Sequence, residues 1–446
     1  ALSADGKLLV SADALGVVRL WETETGKALR QSAHRPPVAV ALGEDGVTLA
    51  IARAGEVLLQ DVDTGREIKT LKVDEDQPLS LVWADKQLVV GYRSHSIRCW
   101  DVDQGTVART LGAHITPVVA LAYAPTAKRL ASADQAGNVR LWDVEKGTEV
   151  RRLGGVGRLP TLVFSPSGKT LATSNTDGMV SLWNAETGAE EKQLLGHDGP
   201  VRGLAFAPDG KTLVSAGQDH LVRLWELASG KQVLSFGGHA GPVQWVRFAP
   251  DGRTVLSASA DCTLLNWDLI SKFEGMRVGP GELDNLWKEL ASSDGPPAYR
   301  AAWTLVAAPK QSVPFVRDRL RTFIGVDPQR ISRLIANLNH DDFMVRERAT
   351  EELEKLGQLA EQALQKTMTQ TGDLEVLRRI ERILEKQMAP DVSWHQERLR
   401  VLRAINVLEK IGTSDARTIL ENLAKGAPEE VLMREARASL DRLNKR

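Results

Sequence analysis

The chain is predicted to be a multidomain β + α protein. A ring of small antiparallel sheets spans residues 1–279, and an all-α domain of helical hairpins spans 280–446. Three observations carry that expectation. An aromatic followed by an acid or amide recurs at near-constant intervals, and glycine turns sit at fixed offsets from it. Both patterns stop at Gly279-Pro280-Gly281, where helix punctuation takes over.

The recurring dipeptides are Trp21-Glu22, Trp100-Asp101, Trp142-Asp143, Trp183-Asn184, Trp225-Glu226 and Trp267-Asp268, and the degenerate Gln60-Asp61 fills the one gap. Spacings run from 39 residues (21 to 60) to 42 (225 to 267). A short apolar strand precedes each dipeptide, as in Val139-Arg140-Leu141, and a glycine turn follows most of them, as in Thr25-Gly26 and Ser229-Gly230. A second turn, such as Asp45-Gly46 or Asp209-Gly210, follows the first strand of a unit. Four short strands per unit with glycine at fixed positions describe a propeller blade, so seven copies give a seven-bladed propeller. Over residues 1 to about 279 this pattern resembles the WD-repeat family.

Within GHDGPVRGLAFAPDGKTLVSAGQDHLVRLWE, residues 196–226, His197, Ser215 and Asp219 have the identities of a hydrolase triad. The family resemblance implies another role, in which these three join Trp225 in a structural hydrogen-bond network. A second copy, His239, Ser257, Asp261 and Trp267, follows 42 residues later (225 to 267). Duplication in adjacent blades suits a network that gives buried polar groups their partners better than it suits a catalytic site. Leu15, Ala54, Ser94 and Ala136 stand where later blades have Asp177, Asp219 and Asp261. Blades two and four keep His34 and His114 without that aspartate, and blade five keeps the aspartate without a Gly-His pair. The full network is therefore expected only in blades six and seven, and the early blades are expected to be softer.

Innermost strands carry small or aliphatic residues at two aligned positions, Ala39, Ser80, Ala120, Thr161 and Gly203, and Ala41, Val82, Ala122, Val163 and Ala205. Blade seven has Trp245 and Arg247 there, two residues apart and so on one face of the strand. That pair has the composition of a partner-binding hot spot. Packing against the helical region or an N-terminal strand is the alternative. Leu2, Asp5 and Gly6 align with Phe248, Asp251 and Gly252, so most of the first blade's innermost strand is expected to be missing. The last blade's outer strand would come from residues ahead of Ala1 or from Lys272–Val278. A fragment is expected, with room for a lost targeting signal.

Beyond residue 280, Asp327-Pro328, Gly412-Thr413 and Gly426 with Pro428 punctuate helices. Apolar residues recur at helical spacing in Val345/Ala349/Leu353/Leu356, Leu402/Ile405/Leu408/Ile411 and Leu432/Ala436/Leu440/Leu443. Eight to ten short helices in antiparallel pairs are expected. DDFMVRERATEELEKLG, residues 341–357, resembles a HEAT or armadillo-type unit, and Arg417 suggests a further degenerate one. In such a unit Asp341 or Asp342 would cap the helix and Arg346 would lie near the neighbouring pair. The whole is similar to bacterial multi-module proteins in which a propeller carries a helical tail.

Several function classes are disfavoured. Formal net charge is -1, and basic and acidic residues nearly balance in the tail, so nucleic acid is not an expected partner. No apolar run is long enough to span a membrane. Cys99 and Cys262 form no disulfide pattern. His340-Asp341 lacks the further ligands a metal site needs and reads as a helix cap. No cofactor and no metal is expected, and no glycine-rich phosphate loop occurs. The expected function is a non-catalytic scaffold for protein or peptide partners, with the cytoplasm slightly favoured. The alternative is a sensory or regulatory module of a larger enzyme, such as a kinase, with its catalytic domain ahead of Ala1.

Overall fold

The computed structural model describes every residue except 4, 14, 44, 74–75, 159–160, 274–277, 280, 325–327, 357–359, 388–391, 427–429 and 445–446. Side chains at 272, 321–324, 328–329, 355, 361–362, 385–387, 392–395, 426 and 430 are likewise outside the description. Two compact units result, Ala1–Leu269 and Ile270–Arg446. The division falls before the glycine-rich stretch at 279. Ser271–Phe273 forms a 3₁₀ turn, and Phe273 and Val278 are buried, Phe273 beside Tyr299 and Val278 in a helical core.

The first unit is a seven-bladed β-propeller. Blades two to six are four-stranded antiparallel sheets: 39–72, 78–111, 118–152, 162–194 and 201–236. Blade one has Leu8–Ala12, Val17–Glu22 and Ala28–Ala33, with Leu2 bridged to Leu9 as the remnant of an innermost strand. Blade seven has Val243–Phe248, Thr254–Ser259 and Leu264–Asp268. Lys272 and Phe273 are not part of a strand, and the rest of Lys272–Val278 lies largely outside the described residues.

Alternation makes the blades. In Val139–Asp143, Val139, Leu141 and Trp142 are buried while Arg140 reaches the edge. In six blades the register between third and outer strand shifts at the Trp position, a bulge that re-aims the outer strand. Innermost strands of successive blades lie side by side. Closure occurs where blade one meets blade seven: a Cβ on Gly6, at φ 72°, would sit 2.2 Å from Pro250 Cδ. Only a residue without a side chain fits there.

A second device links the blades. Arg30 donates to Val62 O at 2.5 Å, Lys69 to Asp103 O at 2.5 Å, and Arg109 to Val144 O at 2.8 Å. Lys192 donates to the carbonyls of Leu227 and Ala228, each at 2.6 Å. Each cation lies on an outer strand and grips the turn after the Trp position of the following blade. The sequence carries the signal, since a basic residue stands nine places after 21, 60, 100, 142 and 183, at Arg30, Lys69, Arg109, Arg151 and Lys192.

The second unit holds ten α-helices among the described residues: α1 (Glu282–Glu289), α2 (Gly295–Ala307), α3 (Pro309–Ile324), α4 (Pro328–Asn337), α5 (Phe343–Leu356), α6 (Glu361–Gln370), α7 (Leu374–Gln387), α8 (Val392–Ile411), α9 (Ser414–Gly426) and α10 (Glu430–Asn444). Gly412, at φ 64°, separates α8 from α9, and Pro328 opens α4. The anticipated partners Asp327 and Pro428 lie outside the described residues. Two cores form. Helices α1–α3 and α8–α10 share one, while α4–α7 enclose another around Leu338, Leu353, Leu364 and Ile380. Two buried polar devices tie the first core. Arg403 donates to the carbonyls of Leu290 and Ser292 at 2.6 and 2.8 Å, closing the end of α1. Glu409, 1 % exposed, takes both arms of Arg442 at 2.7 and 2.8 Å and the Ser439 hydroxyl at 2.7 Å.

Candidate functional sites in the propeller

In blade six, the turn after Leu194 delivers His197 to the second strand, where Ser215 faces it. The His197 Nε2 lies 2.7 Å from Ser215 Oγ, and Nδ1 lies 2.9 Å from Asp219 Oδ1. The Trp225 indole N–H donates to the same Ser215 oxygen at 2.8 Å. One proton arrangement satisfies all four groups. Nδ1–H donates to Asp219, Ser215 O–H donates to Nε2, and the serine oxygen accepts the indole N–H.

These are the contacts of a nucleophile, base and carboxylate, yet Ser215 is 0 % exposed and the indole already donates to its oxygen. Burial lowers the His197 pKa below its ordinary 6.5, partly opposed by Asp219, so the ring stays neutral at pH 7. Burial pushes Asp219 the other way, but hydrogen bonds from His197, Arg223 and the Asp198 N–H outweigh it and hold the carboxyl below 3.8.

Blade seven repeats the geometry with an insertion. His239 Nε2 sits 2.7 Å from Ser257 Oγ, and the Trp267 indole donates to that oxygen at 2.8 Å. Nδ1 meets Thr263 Oγ1 at 2.9 Å, and the Thr263 hydroxyl donates to Asp261 at 2.6 Å, with 3.4 Å from Nδ1 to Asp261 Oδ2. Asp261 thus reaches the histidine chiefly through a hydroxyl.

Blade four corrects the expectation that only two blades hold such a set. His114 Nε2 lies 2.7 Å from Ser132 Oγ, the Trp142 indole donates to Ser132 at 2.7 Å, and Asp134 stands 3.4 Å from Nδ1. The acid comes from the end of the second strand, two residues before the Ala136 position, and is fully buried. His114 is also driven below its ordinary pKa by burial, with Arg140 adding to the effect.

Of the remaining blades, one, three and five keep a partner for the indole and lose the rest. Ser11 accepts from Trp21 at 2.8 Å and Thr173 from Trp183 at 2.9 Å, each ten residues ahead. In blade three that place is Val90, and the Tyr92 hydroxyl takes the Trp100 indole at 2.8 Å instead. Its acid is reversed too: Asp76, before the innermost strand, accepts from Ser94 of the turn ahead of the third strand and from Arg98 on that strand. In blade two Gln60 replaces the indole, Ala50 stands at the hydroxyl position, and His34 turns to Ser32 of blade one at 2.8 Å.

Trp245 is half-buried and Arg247 exposed on the innermost strand of blade seven. In the helical unit, Asp342 caps α5 by accepting the Met344 N–H at 2.8 Å, and His340 Nδ1 accepts the Asp342 N–H at 3.0 Å. Arg346 folds back on the carbonyls of His340 and Asp341 rather than onto a neighbouring helix pair. Among the described residues, no cluster of three or more His, Cys, Asp or Glu is placed to hold a metal ion, and no helix is long and apolar enough to cross a membrane.

Comparison with known proteins agrees with this architecture. The "WD domain, G-beta repeat" family matches residues 105–143, 151–184, 188–226 and 230–268. Each match runs from one blade's outer strand to the third strand of the next. The chain is 28% identical over 148 residues to "Autophagy-related protein 16" of Arabidopsis thaliana, covering 30% of this chain and 28% of that protein. It is 26% identical over 135 residues to "DENN domain and WD repeat-containing protein SCD1" of the same plant, covering 30% of this chain and 11% of that protein. The chain spans less than a third of the length of either relative. Both are plant proteins, so the likeness to bacterial multi-module proteins rests on the sequence pattern alone. What the fold and the matches establish together is a seven-bladed β-propeller carrying WD40 repeats, followed by a helical region with ten helices among the described residues.

Proposed function

We propose that this chain is a non-catalytic scaffold that holds protein or peptide partners on its propeller, with the helical unit as a second contact surface. One observation supports the reading most directly. The only hydrolase-like constellation among the described residues is repeated in three blades, and its hydroxyls, Ser132, Ser215 and Ser257, each have 0 % exposure. A nucleophile that no substrate can touch serves the fold. Trp245 and Arg247 are the proposed contact residues, because they break the small-residue rule of the other innermost strands. The α4–α5 pair is read as a HEAT-like unit on the strength of Asp342, Ala349 and Leu353.

The test is affinity capture with the full chain, read by mass spectrometry, beside esterase and peptidase assays of the same preparation. A stoichiometric partner that is lost with Trp245→Ala, without turnover, is the expected result. Turnover that disappears in His197→Ala would overturn the reading.

A further inference from the structure

The innermost strands Ala39–Leu42, Pro78–Ala84, Val118–Ala124, Leu162–Phe164, Val201–Phe206 and Val243–Phe248 contain two charged residues, Arg202 and Arg247, and no acid. Both arginines are exposed. No carboxylate or carbonyl among the described residues pairs with either guanidinium. They lie on neighbouring strands, since a Cβ on Gly203 would stand 3.2 Å from Trp245 Cα. Arg202 and Gln244 occupy the same place in their blades, the residue skipped where pairing shifts between Val201 and Gly203 and between Val243 and Trp245. Such a bulge residue is free to point away from the ladder.

Surrounding protein lowers the Arg247 pKa through desolvation, although the side chain stays accessible to water. Trp245 and Arg247, two residues apart, share one face of Val243–Phe248, an innermost strand bordering the central channel. There, apolar walls of low dielectric constant focus its field, and no acid of the innermost strands answers it. The half-buried Trp245 indole adds an apolar platform two residues away. Two cations beside one indole, in a chain of net charge -1, suit a short peptide better than a polyphosphate backbone.

We propose that the channel wall formed by blades six and seven binds an acidic peptide segment, its carboxylates paired with Arg247 and Arg202 and a neighbouring side chain laid against Trp245. The proposal rests on the scaffold reading and names its ligand class.

Calorimetric titration of the full chain with octaglutamate, octaglutamine and octalysine tests it. Octaglutamate is expected to bind, more weakly as salt rises, and the other two are not. Arg247→Gln and Arg202→Gln should each weaken binding about tenfold, the value of one charge-assisted contact. Arg247→Lys should retain most of the affinity, and Lys27→Gln, in an exposed turn outside the channel, should change nothing. The double glutamine variant, with an unchanged melting temperature, should not bind measurably. Octaglutamate binding that survives in that variant, equal binding of octaglutamine, or no binding at low salt overturns the proposal. Captured protein partners that stay on the double variant would leave the scaffold standing and sink the acidic ligand; absence of any partner alongside intact octaglutamate binding would do the reverse.

Discussion

Blades four, six and seven and blades one to three share one strand plan but stabilise it differently. In blades six and seven a histidine, a hydroxyl, an acid and an indole close a polar circuit inside the sheet; blade four assembles the same four groups but leaves His114 Nδ1 without a hydrogen bond, 3.4 Å from Asp134, and Trp142 and Trp225 are each 2 % exposed. In the second group the circuit is reduced. Trp21 is half-buried with Ser11 alone, Trp100 borrows a phenol, and Gln60 reaches only the Gly65 carbonyl at 2.5 Å. The difference teaches that the indole's donor is the indispensable debt of a blade. Wherever a tryptophan stands in the recurring dipeptide its N–H is matched, and where it is replaced by Gln60 the hydroxyl position has become Ala50.

The comparison can be broken most forcefully at its two extremes. Trp225→Ala should cost about 3–5 kcal/mol in chemical denaturation, because it empties a core site and removes one of the two hydrogen-bond partners of Ser215. Gln60→Ala should cost about 1 kcal/mol, the worth of one hydrogen bond near a turn. Equal losses would erase the distinction between the groups. A narrower contrast uses the hydroxyls. Ser215→Ala leaves both the Trp225 N–H and His197 Nε2 unmatched and should cost about 2–3 kcal/mol, whereas Ser11→Ala beside a half-buried indole should cost about 1 kcal/mol. Hydrogen exchange would sharpen the same contrast, with amides of blades one to three expected to exchange before those of blades four to seven.

Acid acts on the buried histidines. His114 and His197 have folded-state pKa values below the ordinary 6.5, so the unfolded chain takes up protons that the folded chain refuses. Stability is therefore complete above pH 6.5 and declines as pH falls below it. The denaturation midpoint should drop on moving from pH 8 to pH 5, and His197→Asn should flatten that slope. A slope that is unchanged would show that the ring is protonated in place without cost. His34, partly buried, shifts in the same direction through burial and Arg53, so its substitution tests whether blade two shares the trend.

The smallest effect concerns the turn five residues before each Trp position. Gly16, Gly55, Gly137 and Gly178 take positive φ there, and His95, His220 and Cys262 do so at 73°, 64° and 68°. Cys262→Gly should stabilise by no more than about 1 kcal/mol, the left-handed strain relieved less the entropy regained by the unfolded chain. A loss of stability in thermal melting would mean that the Cys262 side chain makes a contact of its own.

Much of this was legible in the residues. The seven units and their turns follow from spacing, since a repeat reports the same environment many times, and the His197 and His239 sets follow from the family resemblance that the repeat carries. Asp134 was not, because its carboxylate arrives from a strand end rather than from the turn where alignment places acids. Tyr92 and Asp76 escaped for a related reason: each meets the blade's demand from a different backbone position, and a linear alignment sees only an absence. The basic residue nine places after the Trp position was visible but had no meaning until its target carbonyls on the next blade were known. The two helical cores could not be read from helical spacing, which marks a buried face without naming the helix that covers it.

The forward grip of Arg30, Lys69, Arg109 and Lys192 has a consequence for how such a ring could lengthen or shorten. Every hook points the same way around the circle, and its eye is bare backbone that any sequence supplies. A duplicated stretch running from one glycine turn to the next would bring a working hook and find an eye waiting. Copying or deleting whole units therefore leaves each seam fastened, whereas a cut inside a unit strands a hook with nothing to hold.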